Sequence, residues 1–136
     1  MITIENVDQG SVLLKSSEIG FQPDVLVVPA NTTYLEGTIL ARDSVSGNLV
    51  AFVSGGTSNE NGIPKTVLSY AVANDTASSV DQPVRVPVTA KVRKERLVIA
   101  ADGDASNVTK AVEDQLRDYG IHPVNVDDLS LLDNQP

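Results

Sequence analysis

The chain of 136 residues has no cysteine and no tryptophan, and it has one histidine and one methionine. Without cysteine there is no disulfide, no thiolate metal ligand and no thiol nucleophile, which fits a reducing compartment. Aromatic residues make up only 4%, so the core must be built from Val, Leu, Ile and Ala. Hydrophobic residues still reach 41%, close to the globular norm, which excludes wholesale disorder. The length is that of one domain, and chains of about 150 residues bury roughly 70% of their unfolded surface. No apolar run approaches the ~20 residues that span a bilayer, and no membrane partner is expected. The start, MITIENVDQG, lacks a basic region followed by a long apolar run, so no secretory signal is expected.

Positive charge is also scarce. Ten Lys and Arg face eighteen Asp and Glu, a net charge of −8. From Asp102 onward eight acids stand against Lys110 and Arg117, so that segment alone carries −6. A chain this acidic is repelled by phosphate backbones, and no nucleic-acid partner is expected. Half of the bases, Arg85, Lys91, Arg93, Lys94 and Arg96, crowd into one stretch. No aromatic is interleaved there for base stacking, so the stretch reads as a solvated strand face.

What the chain does have is strand pattern. Gly37 to Val53, GTILARDSVSGNLVAFV, places two apolar runs around a polar stretch from Arg42 to Asn48. Asp43, Ser44, Ser46, Gly47 and Asn48 supply turn chemistry, and the stretch reads as a hairpin with a loop of about five residues. Its core candidates are Ile39, Leu40, Leu49, Val50 and Phe52, with Leu40 and Phe52 the large ones. Asp24 to Val28 is a compact strand candidate. Thr66 to Ala73 reads as one strand, with Val67, Ser69, Ala71 and Ala73 on one face and Leu68, Tyr70 and Val72 on the other. Val84, Val86, Val88, Ala90 and Val92 alternate strictly with polar residues, an apolar face inward and a basic face outward. Pro87 in the outward series argues for an edge or a break. Leu97 to Ala100 adds a further strand. Loop 54–62 is polar and glycine-rich, with no Gly-Lys-Ser or Gly-Lys-Thr to make it a phosphate cradle, and 74–82 is a second polar loop.

Val108, Ala111, Val112, Leu116 and Tyr119 recur at helical spacing. This predicts one helix of about 12 to 13 residues, capped by Ser106 or Asn107 and ended at Gly120. Residues 1–22 look like an arm: Ile2, Ile4 and Val7 sit among Thr3, Glu5 and Asn6, a short alternating pattern, and Val12-Leu13-Leu14 follows. Such a segment is either an ordinary first strand or one that pairs with another chain's sheet edge. The tail from Val124 is acidic, with Leu129, Leu131 and Leu132 as docking candidates.

Catalytic and metal chemistry find little support. His122, read as lying in a loop just past the helix, has no second His or Cys to make a metal site with. No GxSxG surrounds a serine. Asp102, Asp104, Ser106 and Glu113 fall at positions 1, 3, 5 and 12 of a calcium-loop spacing, but Asn107 stands where that loop needs glycine, so helix capping is the stronger reading. The glycosylation patterns at Asn31, Asn74 and Asn107 are of the frequency that chance produces here. The residues therefore predict no catalytic residue, no metal and no cofactor.

In order and spacing the pieces resemble the head decoration proteins of the phage lambda type. The resembling residues are Gly37 to Asp43, Ser46 to Val50, Gly62-Ile63, Val67 to Val72, and Val84 to Val92 with Leu97-Val98, within about residues 34–100. The resemblance implies a non-enzymatic homotrimer on the outer surface of the phage head, made in the host cytoplasm. It would bind the major capsid protein of the expanded shell and strengthen it. It also implies a small β-rich fold with an N-terminal arm that contacts the shell, here Ile2, Thr3, Ile4, Glu5, Asn6 and Val7. The expected architecture is mainly β: a barrel- or sandwich-like domain with one C-terminal helix and an extended arm. The expected divisions are 1–22 (arm), 23–101 (β-rich core) and 102–136 (helix and acidic tail packed on the core). The competing readings are a β-domain that binds a partner protein or small ligand without any capsid role, and, behind it, a hydrolase using scattered Ser and Asp.

Overall fold

A computed structural model describes residues 12–14 and 19–124. The strands are β1 (Gly20–Val28), β2 (Thr32–Tyr34), β3 (Ile39–Arg42), β4 (Leu49–Ala51), β5 (Pro64–Val67), β6 (Val72–Asn74), β7 (Val80–Arg93) and β8 (Ile121–Val124). A 3₁₀ turn spans Lys94–Arg96, and α1 spans Lys110–Asp118. Six strands form one sheet in the order β5-β3-β4-β1-β7-β8, and β2 and β6 make a separate ribbon. β5, at one end of that order, packs against β7 and β8 at the other, so the sheet curls into a nearly closed barrel. The fold is mainly β, as the patterning predicts. No helix among the described residues is long and apolar enough to cross a membrane.

The hairpin lies at the centre of two cores. Alternation along a strand sends neighbours to opposite faces. Ile39 and Ala41 therefore enter one cluster, with Phe52, Val67, Ala90, Val92, Leu97, Ile99, Val112, Leu116 and Ile121. Leu40 enters the other, with Leu26, Val28, Tyr34, Leu49, Leu68, Val72, Val84 and Val86. Ile39, Leu40 and Leu49 are fully buried, Phe52 nearly so, and Val50 is half-buried against the first cluster. The hairpin register pairs Leu40 with Ala51, Ala41 with Val50 and Arg42 with Leu49.

Several local expectations are corrected. Thr66–Ala73 is not one strand. Val67 ends β5 and Val72 begins β6 in the other sheet, because Val67 and Leu68 are consecutive and both buried, in different cores. Val88 does not face inward. The register of β1 against β7 passes from Phe21↔Pro87 to Gly20↔Thr89, which leaves Val88 in a bulge and 39% exposed, while Pro87 is buried. A bulge inserts one unpaired residue and re-aims the strand. Val84 and Val86 thus serve the second core before it, and Ala90 and Val92 the first core after it. β7 is not an edge strand; Pro87 marks the break instead.

Leu97 to Ala100 forms no ladder strand, only single bridges of Val98 to Thr38 and Ile99 to Asp104. The helix has nine residues, and its cap is Thr109, whose Oγ1 accepts from Val112 N at 3.3 Å, rather than Ser106 or Asn107. His122 lies on β8, exposed and paired in register with Lys91, rather than in a loop. β8 is the terminal strand of the sheet order, and Pro123 within it has no N–H to offer a further strand.

Candidate functional site at the root of the N-terminal segment

Residues 12–14 anchor the start of the chain to the body. Val12 is fully buried, and Leu13 and Leu14 are nearly so. Leu13 bridges Val92 antiparallel, Leu14 N donates to Lys91 O at 3.0 Å, and Arg93 N donates to Val12 O at 2.8 Å. Val12 N is held from outside the sheet by Glu36 Oε2 at 3.0 Å. Transfer of three large aliphatic side chains out of water stabilises this root by roughly 1.5 to 3 kcal/mol each. Val12 to Leu14 are thereby tied to β7, the longest strand of the barrel. The shell-contact candidates Ile2, Thr3, Ile4, Glu5, Asn6 and Val7 lie outside the described residues, as do 125–136 of the tail. β1 begins at Gly20, so the span 1–22 includes both this buried root and the first residues of a barrel strand.

β8 runs parallel to β7 on the other side, with Ala90 opposite Ile121 and Arg93 opposite Val124. Val12 and Val124 both stand beside Arg93, at the same end of the barrel. That end is basic. Lys94 and Arg96 are exposed in the 3₁₀ turn, and Glu95 lies between them. Behind the turn, the buried Glu113 carboxylate of α1 faces Lys94 Nζ and Arg117 Nη2, each at 3.8 Å. Arg117 also bonds Asp114 at 2.8 Å and Pro123 O at 3.2 Å, which fixes the helix to β8.

A second feature braces the hairpin. Arg42 at the end of β3 makes two parallel bonds to Asp24 of β1, Nη1 to Oδ1 at 2.9 Å and Nη2 to Oδ2 at 2.8 Å. Its Nη1 also bonds Gly47 O in the hairpin loop. Burial alone would raise the Asp24 carboxyl. Hydrogen bonds from Arg42 and Val25 N, with the Arg42 charge, outweigh burial and hold it below the ordinary value. The hairpin loop is tied by Asp43 Oδ1, which accepts from Val45 N and Ser46 N, and these bonds lower the Asp43 carboxyl.

A shallow groove of about 160 Å³ lies beside the bulge, lined by Gln22, Arg42, Lys65, Thr66, Pro87 and Tyr119 among others. Lys65 Nζ sits 3.8 Å from the centroid of the Tyr119 ring.

The calcium-loop candidates disperse: Asp102 accepts from Asn107 Nδ2, Asp104 caps Ser106 N, and Glu113 is turned toward Lys94 and Arg117. Among the described residues no cluster of His, Asp or Glu is placed to hold a metal ion. Asn74 is buried structure: its Nδ2 donates to Val28 O, Pro29 O and Ser78 O, and its Oδ1 accepts from Thr76.

Sequence reasoning reached the apolar triplet Val12-Leu13-Leu14 but not its role as anchor, because its partners Val92 and Glu36 are distant in sequence. The Asp24–Arg42 brace carries no local signal at all.

Comparison with known proteins gives one family. The model of the family described as bacteriophage lambda head decoration protein D matches residues 1–121. No curated protein matches the chain. The matched span includes residues 1–11, the root, both cores and α1, and it ends at the first residue of β8.

Proposed function

The chain belongs to the family of bacteriophage lambda head decoration protein D, and on that premise we propose that it is a cement protein of a phage head. The family is a structural component of the phage head, not an enzyme class. In our reading the protein binds the major capsid protein on the outer surface of the expanded shell as a homotrimer and stabilises the shell. It has no catalytic role in this reading.

The observation that carries the proposal is the family match across 121 of 136 residues. The buried root supports it mechanically. A segment such as Ile2, Thr3, Ile4, Glu5, Asn6 and Val7 can add a strand to an exposed sheet edge, with backbone bonds for affinity and alternate side chains for register. The residues that follow it are held to the barrel by the bridge of Leu13 to Val92. One such contact is weak, but three on one trimer become intramolecular after the first, and avidity rises by about 10² or more. The net charge of −8 disfavours DNA as the competing partner.

The test mixes purified protein with expanded empty shells and follows sedimentation. A trimer that co-sediments in a fixed ratio is expected. A monomer indifferent to shells refutes the proposal in favour of a β-domain with another partner. Deletion of residues 1–10 leaves the root intact, so the melting point should hold while retention on shells falls sharply. Wild-type saturation by the truncated protein would remove the arm as anchor.

A further inference from the structure

We infer that Asn61 is a site of spontaneous covalent modification, converted to aspartate or isoaspartate through attack by the backbone nitrogen of Gly62. Asn61-Gly62 is the one Asn-Gly pair in the chain. Glycine has no Cβ to shield its own nitrogen, so that nitrogen can reach the side-chain carbonyl carbon of the residue before it. Gly62 N gives up its proton to hydroxide and bonds to Asn61 Cγ. The Cγ–Nδ2 bond breaks, and ammonia leaves with a proton taken from water. Water then opens the cyclic imide at either carbonyl, placing hydroxyl on that carbon and a proton on the nitrogen. One opening gives aspartate. The other gives isoaspartate, whose main chain runs through Cγ.

The fold leaves both reacting groups unengaged. Gly62 N donates no hydrogen bond among the described residues, whereas Asn61 N donates to Ser58 O at 3.0 Å and Ile63 N to Glu60 O at 3.2 Å. Asn61 Oδ1 is buried and accepts no hydrogen bond among the described residues. Turning the carboxamide toward Gly62 N therefore breaks no bond to Oδ1, and it relieves a buried acceptor that is costly to leave unsatisfied. Ser58, Asn59 and Glu60 are exposed, so water and hydroxide reach the loop. Other asparagines are placed differently. Asn74 is buried, and its Nδ2 is held by three carbonyls. Asn59 and Asn107 bond Asp43 and Asp102, and the side chains of Glu60 and Val108 follow them. Asn31 and Asn48 precede Thr32 and Leu49, whose side chains obstruct the same approach.

The modification opens the loop. A Cβ on Gly56 would strike Asn61 Oδ1, and one on Gly62 would strike Gly56 O, so the carboxamide is the packing between the two sides of loop 54–62. A carboxylate in that place finds no donor, and an unpaired buried charge is costly. Glu60, and Asp43 bonded to Asn59 Nδ2 at 3.4 Å, bring like charge to the same loop. Isoaspartate also lengthens the main chain by one carbon. The bonds Val53 N to Asn61 O at 2.9 Å and Ser44 N to Asn59 O at 3.0 Å then no longer fit together. They hold Asn59 and Glu60 at φ of +50° and +66°, a region that non-glycine residues seldom occupy. No residue of 54–62 belongs to either core, so the barrel stays in place while the loop loosens. The change adds one negative charge to the net −8 and does not depend on any role in a shell.

Ageing the full-length folded protein in warm, mildly alkaline buffer tests the site. Peptide mapping by mass spectrometry should show the amide-to-acid mass gain at Asn61 before any other asparagine, split between aspartate and isoaspartate forms. An isoaspartate methyltransferase should label the same peptide. Asn61→Gln, whose longer side chain closes a larger ring far more slowly, should stay unmodified over that time. A synthetic peptide of residues 54–66 gives the rate without the fold. The folded protein should react within several-fold of that rate. A rate more than an order of magnitude below the peptide's overturns the inference, because the fold then protects the site. So does earlier reaction at another asparagine. A glutamate-specific protease reads the consequence through cleavage after Glu60. Cleavage should be several-fold faster in the aged fraction, separated by anion exchange, and in Asn61→Asp than in fresh protein. Equal cleavage in all three refutes the opening of the loop.

Discussion

Gly37→Ala should be among the most damaging single-methyl additions in this protein. Gly37 has φ of +92°, and a Cβ built on it would stand 2.0 Å from the Arg96 carbonyl oxygen. That oxygen belongs to the backbone and has little room to retreat. Gly37 N donates to Leu68 O at 2.8 Å, Val98 N donates to Gly37 O at 2.9 Å, and Ile39 N donates to Val98 O at 2.8 Å. These bonds tie the start of the hairpin to both Leu68 and the segment after the 3₁₀ turn. A left-handed alanine costs about 1 to 2 kcal/mol. Displacing Arg96 strains three backbone bonds, each worth about 1 kcal/mol net. The sum is about 4 to 5 kcal/mol, against a total stability of about 5 to 15 kcal/mol for a domain. The melting temperature should fall by about 15 °C or more.

The control is Gly47→Ala. Gly47 also has positive φ, +79°, but nothing lies within 4 Å of the added Cβ. It should cost only the backbone part, about 1 to 2 kcal/mol. Thermal and urea unfolding of both variants, followed by circular dichroism, separates conformation from contact. Equal losses in the two variants would refute the reasoning, because the Arg96 approach would then contribute nothing.

Leu40→Ala empties a fully buried site in the second core and should cost about 2 to 5 kcal/mol in urea unfolding; an unchanged midpoint would contradict the packing. Asn74→Ala removes the bonds from its Nδ2 to the carbonyls of Val28, Pro29 and Ser78, of which Ser78 O keeps Thr76 Oγ1, and the loss should be about 2 to 3 kcal/mol, whereas an exposed turn asparagine would cost almost nothing. Acid should weaken the hairpin brace. The folded Asp24 carboxyl lies below the ordinary 3.8, so its stabilising effect is complete above that value and drains as pH falls through the lower folded value. Asp43 and Asp104 are shifted the same way, so the loss falls in the window below about pH 4. Asp24→Asn should flatten stability against pH there and cost about 1 to 2 kcal/mol at neutral pH; an unchanged acid profile would show that the brace is not coupled to folding. His122→Ala, on the exposed face of β8, should leave melting and shell binding within error.

The sequence by itself determined the class of the protein and its largest pieces. Period-two apolar residues in the hairpin and in β7 specify half-buried strands whatever surrounds them, and Val108 to Leu116 at helical spacing specifies one helix. The absence of cysteine and the single histidine removed whole chemistries before any fold was known. The ordered turns and strands also carried the family resemblance. Other features exist only in three dimensions. Val88 belongs to an unbroken alternating series, and only the pairing of β1 with β7 turns it outward. Val67 and Leu68 are neighbours in one apolar run, yet the barrel assigns them to different cores and so breaks the strand. Ser106 and Asn107 are as good caps as Thr109 in composition, and α1 starts after Thr109, where the helix packs on β8 and β5. The anchoring of Val12 to Leu14 depends on Val92, and the brace of Asp24 on Arg42. Their partners are brought together by the closing of the sheet, a long-range event that no local pattern encodes.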